Sequence, residues 1–464
     1  MSVAEATPDF ERGDPNDRAF LGHPKGLGYL SFVEGCERFS YYSMQTLLTL
    51  YMVNYLLLPG HVEGVVGLGW LRGWHYPGLG GQPLSSAIFG DYTSLVYLTP
   101  ILGGIVADRF IGRRAALIAG GAIMALGHFL MAFEHLFLLA LVSLIVGVGL
   151  FKGNIASQVG ALYKPSDLRR AMAFQIFYIA INVSVIIAPL ISGTLGQKVG
   201  WHWGFGCAGV VMVAGLLLFL KGTPYLPDNA PASKGGAARE RMGPGDWPRV
   251  LALVLLVPAM AIGLLTNQQI FNAYLVWADK SFDLRVGGLS IPSSWMITID
   301  AALSFGMLVA VAAFWKWRAS RTGREPDELG KMIIGSFFTI GGGLCLYMAA
   351  ATAGPGGKVG LFWPLMFHFV NAIGFANILP VSLALFSKIA PRAINSTVIG
   401  IYYLAFFLAN KIVGIVGEWF TTMPTTQFWL LHAASAAVGL VAFVLFKLLV
   451  SDRMVAGAAE PLPE

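Results

Sequence analysis

The residues of this chain that invite a chemical reading are ionisable side chains set inside long apolar stretches. Glu34, Glu37 and Arg38 fall together within LSFVEGCERFSYYSM, and Lys152 falls within VGVGLFKGNIASQVGALY. Asp300 and Lys411 stand in two further apolar runs, with Asp91 and Glu418 nearer the expected ends of theirs. Placing Lys, Arg or Asp at the centre of a membrane helix costs about 2.5–3.5 kcal/mol on insertion scales, so such residues face a partner or an aqueous cavity. On a helix, spacings of three and four bring Glu34, Glu37 and Arg38 into one sector. Two carboxylates beside one guanidinium cannot all neutralise one another, which leaves one free to exchange a proton. A purely structural ion pair needs two charges, not three. Lys152 is flanked by Gly147, Gly149 and Gly153, which suits a close helix crossing with the ammonium in a cavity. There it would pair with a first-span carboxylate or hold an anionic group, since about ten residues on either side make snorkelling to the surface a long reach. Lys411 either neutralises Glu418 or lines the cavity, and the sequence leaves both open.

The elements that must position these groups follow from composition. The 464 residues are 56% hydrophobic and 12% charged, where a soluble domain carries about 25% charge; the missing polar surface implies lipid. A run of about 20 apolar residues spans a bilayer as a helix. Such runs occur at 28–57, 87–107, 115–134, 137–163, 171–196 and 203–221, and again at 250–277, 293–315, 330–351, 361–386, 396–420 and 427–449. The expectation is an all-α integral membrane protein with about twelve transmembrane helices. It divides into an N-terminal six-helix bundle (1–221), a cytoplasmic linker (222–249) and a C-terminal six-helix bundle with a short cytoplasmic tail (250–464). The polar, glycine-rich stretch 58–86 reads as the longest outer loop. The first 27 residues have no apolar core, so no cleavable signal peptide is expected.

Charge sets the orientation. Of the basic residues in connecting segments, only Arg72, Lys198, Lys280, Arg285 and Lys358 fall on the side opposite the termini. The positive-inside rule then places both termini in the cytoplasm of a cell-membrane protein. That bias also accounts for the net charge of +6 without a nucleic-acid partner. Cys36, Cys207 and Cys345 are odd in number and lie in apolar runs, which argues against disulfides and a cysteine metal site. After the second span the chain reads GGIVADRFIGRR, with Asp108, Arg109 and Arg113 at its centre. This resembles the signature loop of the major facilitator superfamily, whose inner gate pairs an Asp with arginines. A loop selected for positive charge alone would explain the arginines but not the Asp and Gly spacing. In that fold two halves rock about a site near the midplane.

The motifs resemble one family within it. EGCERFSYY (34–42) is similar to the first-helix motif of the proton-dependent oligopeptide transporter family. FKGNIASQVGALY (151–163) resembles its fourth-helix motif, with Gly153 where proline is usual, and FQIFYIAINVSVIIAP (174–189) its fifth. LVYLTPILGGIVADRFIG, NQQIFNAYLVWAD (267–279) and SKIAPRAINSTVIG (387–400) are similar to the second, seventh and eleventh, the seventh more loosely. The resemblance implies proton-driven uptake of di- and tripeptides. It implies that Arg38 and Lys152 hold the peptide carboxylate, with Tyr42 and Tyr97 lining the pocket. It implies that Asn182 holds the amino group and that Glu34 and Glu37, with Arg38 and Lys152, couple the proton. Gln269, Asp300 and Phe375 complete the expected substrate-facing set.

Two departures bear on the substrate. The family's tenth-helix Gly-Glu reads Gly374-Phe375 here, and its eighth-helix Asn-Pro reads Asp300-Ala301. Asp300 is expected to supply the charge missing at Phe375; the competing reading gives Asp300 to gating or proton transfer and Phe375 to an apolar or modified substrate. The stretch 222–249 is too short and polar for the two additional helices of many bacterial members. No HExxH, GxSxG or P-loop pattern is present, so neither an intramembrane enzyme nor ATP-driven transport by this chain alone is expected. A lone histidine within a span, His368, reads as packed or hydrogen-bonded. The expected function is a proton-coupled symporter of short peptides or peptide-like solutes, with no cofactor beyond the proton. A major facilitator carrier of another metabolite or drug, in either direction, is the alternative.

Overall fold

The computed structural model describes residues 17–164, 167–227, 242–243, 246–354, 356–391 and 394–451. Most of the expected linker (228–241 and 244–245) and most of the tail (452–464) lie outside the described residues. The helices in chain order are α1 (Lys25–Tyr51), α2 (Leu68–Trp74), α3 (Gly81–Val106), α4 (Arg113–Leu130), α5 (Phe137–Ala161), α6 (Arg169–Ala188) and α7 (Trp201–Gly222). After the linker come α8 (Asp246–Gly263), α9 (Leu265–Gln268), α10 (Ala273–Ser281), α11 (Trp295–Thr322), α12 (Glu328–Ala353), α13 (Phe362–Ile389), α14 (Asn395–Glu418) and α15 (Thr425–Phe446). A two-stranded hairpin, Arg285–Val286 with Leu289–Ser290, joins α10 to α11. The start of α1 is fixed by Asp17, whose carboxylate accepts from the amides of Ala19 and Lys25 at 3.0 and 2.8 Å. These bonds hold the Asp17 carboxyl below its ordinary pKa.

Ten helices are long and apolar enough to cross a membrane by length and composition. The two expected spans outside that set are α1 and α4, which carry charge: Lys25, Glu34, Glu37 and Arg38 in α1, Arg113 and Arg114 in α4. Packing makes up for their polarity, with α1 against α6 and α7, and α4 against α5 and α7. By contrast only 17% of the apolar window of α6 and 11% of that of α11 is buried, so both turn most of their surface to lipid or to the space between bundles.

The contacts sort into two six-helix bundles. In the first, α3 and α4 pack on α5; in the second, α12 packs on α13 and α15, α11 on α13, and α8 on α14 and α15. The bundles meet chiefly where α3 crosses α14 and where α6 crosses α11. At the first crossing a Cβ on Gly90 would lie 2.5 Å from the Cα of Gly414, so the approach is too close for any side chain. The glycine-flanked lysine helix behaves as expected: a Cβ on Gly103 of α3 would lie 1.9 Å from the carbonyl of Gly149.

Two boundaries differ from the sequence expectation. The stretch 58–86 is not all loop, because it contains α2 and the second span begins at Gly81 rather than 87. Its first turns are polar yet buried: Gln82 donates to the Gly417 carbonyl and Ser86 to Asn272 Oδ1, both across the bundle interface. The seventh span is broken rather than continuous. Asn272 interrupts it with φ −118° and ψ −106°, and its side-chain amide donates to the Val413 carbonyl at 3.4 Å.

Candidate functional site

The first-span cluster is built on a helix whose residues 34, 37 and 38 share one face, all buried. Arg38 grips Glu37 with two nitrogens, Nη2 donating to Oε1 at 2.6 Å and Nε to Oε2. Its Nε lies 3.4 Å from Glu34 Oε1, one helical turn away. Glu34 Oε2 is buried with no hydrogen-bond partner, so one carboxylate oxygen of the trio remains unsatisfied. The charge left over is met by Lys152 on α5, which is only partly buried and acts electrostatically on both glutamates. Lys152 rests on aromatic faces, its Nζ 4.4 Å from the centre of the Tyr97 ring and 5.5 Å from that of Tyr41. Arg38 covers the same Tyr41 ring at 4.8 Å. Both cations therefore share one fully buried tyrosine.

Tyr42 and Tyr97 carry the cluster to the second bundle. Tyr42 packs edge-on to Tyr41 and tilts against Phe271, while Tyr97 stacks on Phe406 at 5.0 Å. Tyr42 also feels the charges of Glu34, Glu37 and Arg38 on one side and of Asp300 on the other. Asp300 Oδ1 lies 2.8 Å from His368 Nδ1. Asn182 is half-buried and donates to the Tyr178 carbonyl of its own helix. Phe375 is half-buried on α13, and Gln269 is fully buried with neither amide atom hydrogen-bonded. Among the described residues no hydrogen bond, ion pair or ring contact joins Asn182, Gln269 or Phe375 to the α1 cluster.

Bonds between the bundles all lie toward the ends of the helices away from the termini. There Asn54 and Gln197 donate to Asp279, Gln197 also to Ser293, Trp295 to Thr194, and Thr298 to the Ile186 carbonyl. Lys411 is ion-paired with Asp91 of α3, which also takes His75 Nε2 and Tyr76 Oη at 2.8 Å each. Lys411 thus bridges the bundles; Glu418 lies on the same small outer cavity but is not its ion-pair partner. On the terminal side, His23 bonds Tyr163 and Lys388 bonds Glu328, each within one bundle. The loop residues Asp108 and Arg113 pair with each other at 3.0 Å, and Arg109 is exposed. The hydrogen bonds and ion pairs that join the bundles among the described residues thus gather on the side away from the termini.

Residues 114–240 match the model of the POT family. The chain is 28% identical over 515 residues to the peptide transporter YePEPT of Yersinia enterocolitica subsp. palearctica serotype O:3 (strain YE-P4), covering 95% of this chain and 96% of the relative. It is 26% identical over 496 residues to the di-/tripeptide transporter of Lactococcus lactis subsp. cremoris, covering 92% and 95%. The crystal structure of peptide transporter POT in complex with sulfate superposes with a TM-score of 0.80 at 25% identity, over 94% of this chain and 96% of that one.

This chain is similar to POT family proteins over nearly its whole length.

Its architecture is accordingly the major facilitator fold, in a multi-pass membrane protein. In this chain the expected Glu34, Glu37, Arg38, Lys152, Tyr42 and Tyr97 come together, with Asp300 acting on Tyr42. Sequence reasoning passed over Tyr41 as a shared platform, although it stands inside the quoted first-helix motif. It also passed over the partners of Asp91 and Asp300: Lys411 and His368 lie on helices remote in sequence, and His75 and Tyr76 in the connection before α3.

Proposed function

We propose that this chain is a proton-coupled symporter that imports di- or tripeptides, or peptide-like solutes, by alternating access. The observation that carries this reading is the buried Glu34–Glu37–Arg38 trio with Lys152 beside it and one carboxylate oxygen unsatisfied. The names of the Yersinia and Lactococcus relatives support the substrate class. With both glutamates ionised, Arg38 is held by Glu37 and Lys152 is drawn toward the pair. A proton on either glutamate removes one negative charge and releases a cation for the substrate carboxylate. Tyr42 and Tyr97 wall the space in front of those cations, and Asn182 and the free Oδ2 of Asp300 take the ammonium end. Loss of the proton restores the ion pairs and expels the carboxylate. The excess of Lys and Arg on the terminal side supports cytoplasmic termini in the cell membrane, so the side on which the bundles are bonded together faces outward. The proton is the coupling ion, and the cycle uses no cofactor.

Proteoliposome uptake with an imposed pH gradient and a dipeptide panel tests the proposal. Dialanine accumulates only when the outside is acidic, and a protonophore abolishes the accumulation. Uptake indifferent to the gradient overturns the coupling. Phe375 supports a second reading, a carrier of another small metabolite or drug, export included. Failure of dialanine to compete with the native solute decides for it.

A further inference from the structure

Asp300, His368 and Tyr274 come from three helices, α11, α13 and α10, and form one hydrogen-bonded chain. His368 Nδ1 lies 2.8 Å from Asp300 Oδ1 and its Nε2 lies 2.7 Å from Tyr274 Oη. The carboxylate only accepts, so Nδ1 carries the hydrogen, Nε2 is the acceptor and the Tyr274 hydroxyl donates to it. His368 and Tyr274 are 0% exposed, whereas the Asp300 side chain keeps 12%. The chain therefore opens to its surroundings only at Asp300.

What distinguishes Asp300 is its partner. Among the described residues Glu34 and Glu37 have the permanent cation Arg38, and Asp91 has Lys411. Asp300 has only an imidazole, which carries charge when protonated. The pair is thus net negative or neutral according to one proton. Among the described residues its surroundings add no other ion pair. On α13 the neighbours are Phe367 and Asn371, which face Gly342 of α12. On α15 stands Trp429, 6.3 Å from Tyr274, with His432 beyond it bonded to the Phe428 carbonyl. From α1 comes Tyr42, on which Asp300 acts together with Arg38, Glu37 and Glu34. At its other end α13 meets α14 through Ser382 and Tyr402.

We propose that Asp300, His368 and Tyr274 form a second proton-binding site, in the C-terminal bundle, that loads a coupling proton separately from Glu34 and Glu37. The idea rests on the proton-coupled reading above and adds a site to it. A proton entering at Asp300 is held as imidazolium, with both ring nitrogens donating. Tyr274 must then turn its hydroxyl hydrogen away from Nε2, because it becomes the acceptor of that bond. No covalent bond changes; the proton enters and leaves, and the hydroxyl rotates. Since the three groups sit on α10, α11 and α13, their hydrogen-bond directions tie the broken seventh span to the two helices beside it. A substrate ammonium at Asp300 would oppose the held proton, which links loading to transport.

The test uses the full chain in lipid nanodiscs, with histidine ring nitrogens labelled and followed by NMR across pH. The His368 signal is identified by its loss in His368→Gln. It is expected to change protonation within the pH range over which uptake responds, and Asp300→Asn, which removes the carboxylate facing Nδ1, is expected to alter that response. In proteoliposomes His368→Gln should depress gradient-driven accumulation about tenfold more than it depresses counterflow at equal pH, the cost of about 1.4 kcal/mol of lost coupling. A His368 ring that keeps one protonation state through that range overturns the site, as does His368→Gln with accumulation and counterflow reduced equally. If wild-type uptake ignores the gradient, the symport reading falls instead, and the ring's titration across pH 5 to 8 (present or absent) decides the site by itself.

Discussion

Glu37 and Glu34 differ in what they hold. Glu37 is fully enclosed and makes both bonds to Arg38, while Glu34 makes one longer contact and leaves Oε2 bare. Replacing Glu37 by Gln keeps one acceptor for the guanidinium but removes the negative charge for good. Gradient-driven uptake is expected to fall about tenfold relative to counterflow, since a hydrogen bond to a charged group contributes about 1.5–3 kcal/mol. Parallel assays of the two modes in proteoliposomes check this, and equal losses would place Glu37 in structure alone. Lys152 has no carboxylate of its own and rests on Tyr97 and Tyr41. Lys152→Gln should raise the half-saturating dipeptide concentration about tenfold or more, because truncating one side of a buried charge pair costs about 2–5 kcal/mol. An unchanged concentration dependence would remove Lys152 from the substrate site. At this scale the sequence was most legible where charges crowd one short segment, as at 34–38. It was least legible at His368, which stands alone in its span and meets Asp300 and Tyr274 only through folding, at separations of 68 and 94 residues.

Among the helices, the pairing of α3 with α14 carries the interface between bundles. Gly90 and Gly414 let the backbones touch, and Asp91 with Lys411 places a charged bond one residue further along α3. A side chain at Gly90 would meet backbone, which cannot yield by rotamer change. Gly90→Val should therefore hold the far side open: thiol reagents added from that side should label a cysteine placed at Gln82, which is buried in the native protein. Labelling no faster than in the parent would show that α3 and α14 do not govern closure. The same helices show why element boundaries were only partly legible. Twelve rods follow from apolar runs, yet the start of α3 reads as loop because Gln82, Ser85 and Ser86 are polar. Their burial depends on partners, Gly417 and Asn272, that periodicity along one segment cannot reveal. Asn272 likewise breaks the seventh span, inside the polar stretch TNQQIFN, which length and overall hydropathy carry along as one continuous helix.

Over the whole molecule the hydrogen bonds fall unevenly. Between bundles they gather toward the side away from the termini, from Asn54 with Asp279 to Trp295 with Thr194. Near the termini the polar bonds close within one bundle, as Lys447 does with Asp327 and Lys25 with Tyr225. A carrier works only if both arrangements are accessible and neither is too stable. The far-side seam must therefore be breakable, and its composition fits that demand: short polar side chains and one salt bridge, each contributing about 0.5–3 kcal/mol. Locking the seam tests the inference directly. In a background without Cys36, Cys207 and Cys345, cysteines at Asn54 and Asp279 joined by a short bifunctional thiol reagent should abolish net uptake. Substrate binding from the terminal side should survive, because the cross-link lies at the opposite end of the helices. Reagents too long to hold the side chains at their native 2.9 Å approach should inhibit progressively less. Undiminished transport through the short cross-link would mean the bundles do not separate there, and the alternating opening of the two sides would have to be sought along another seam.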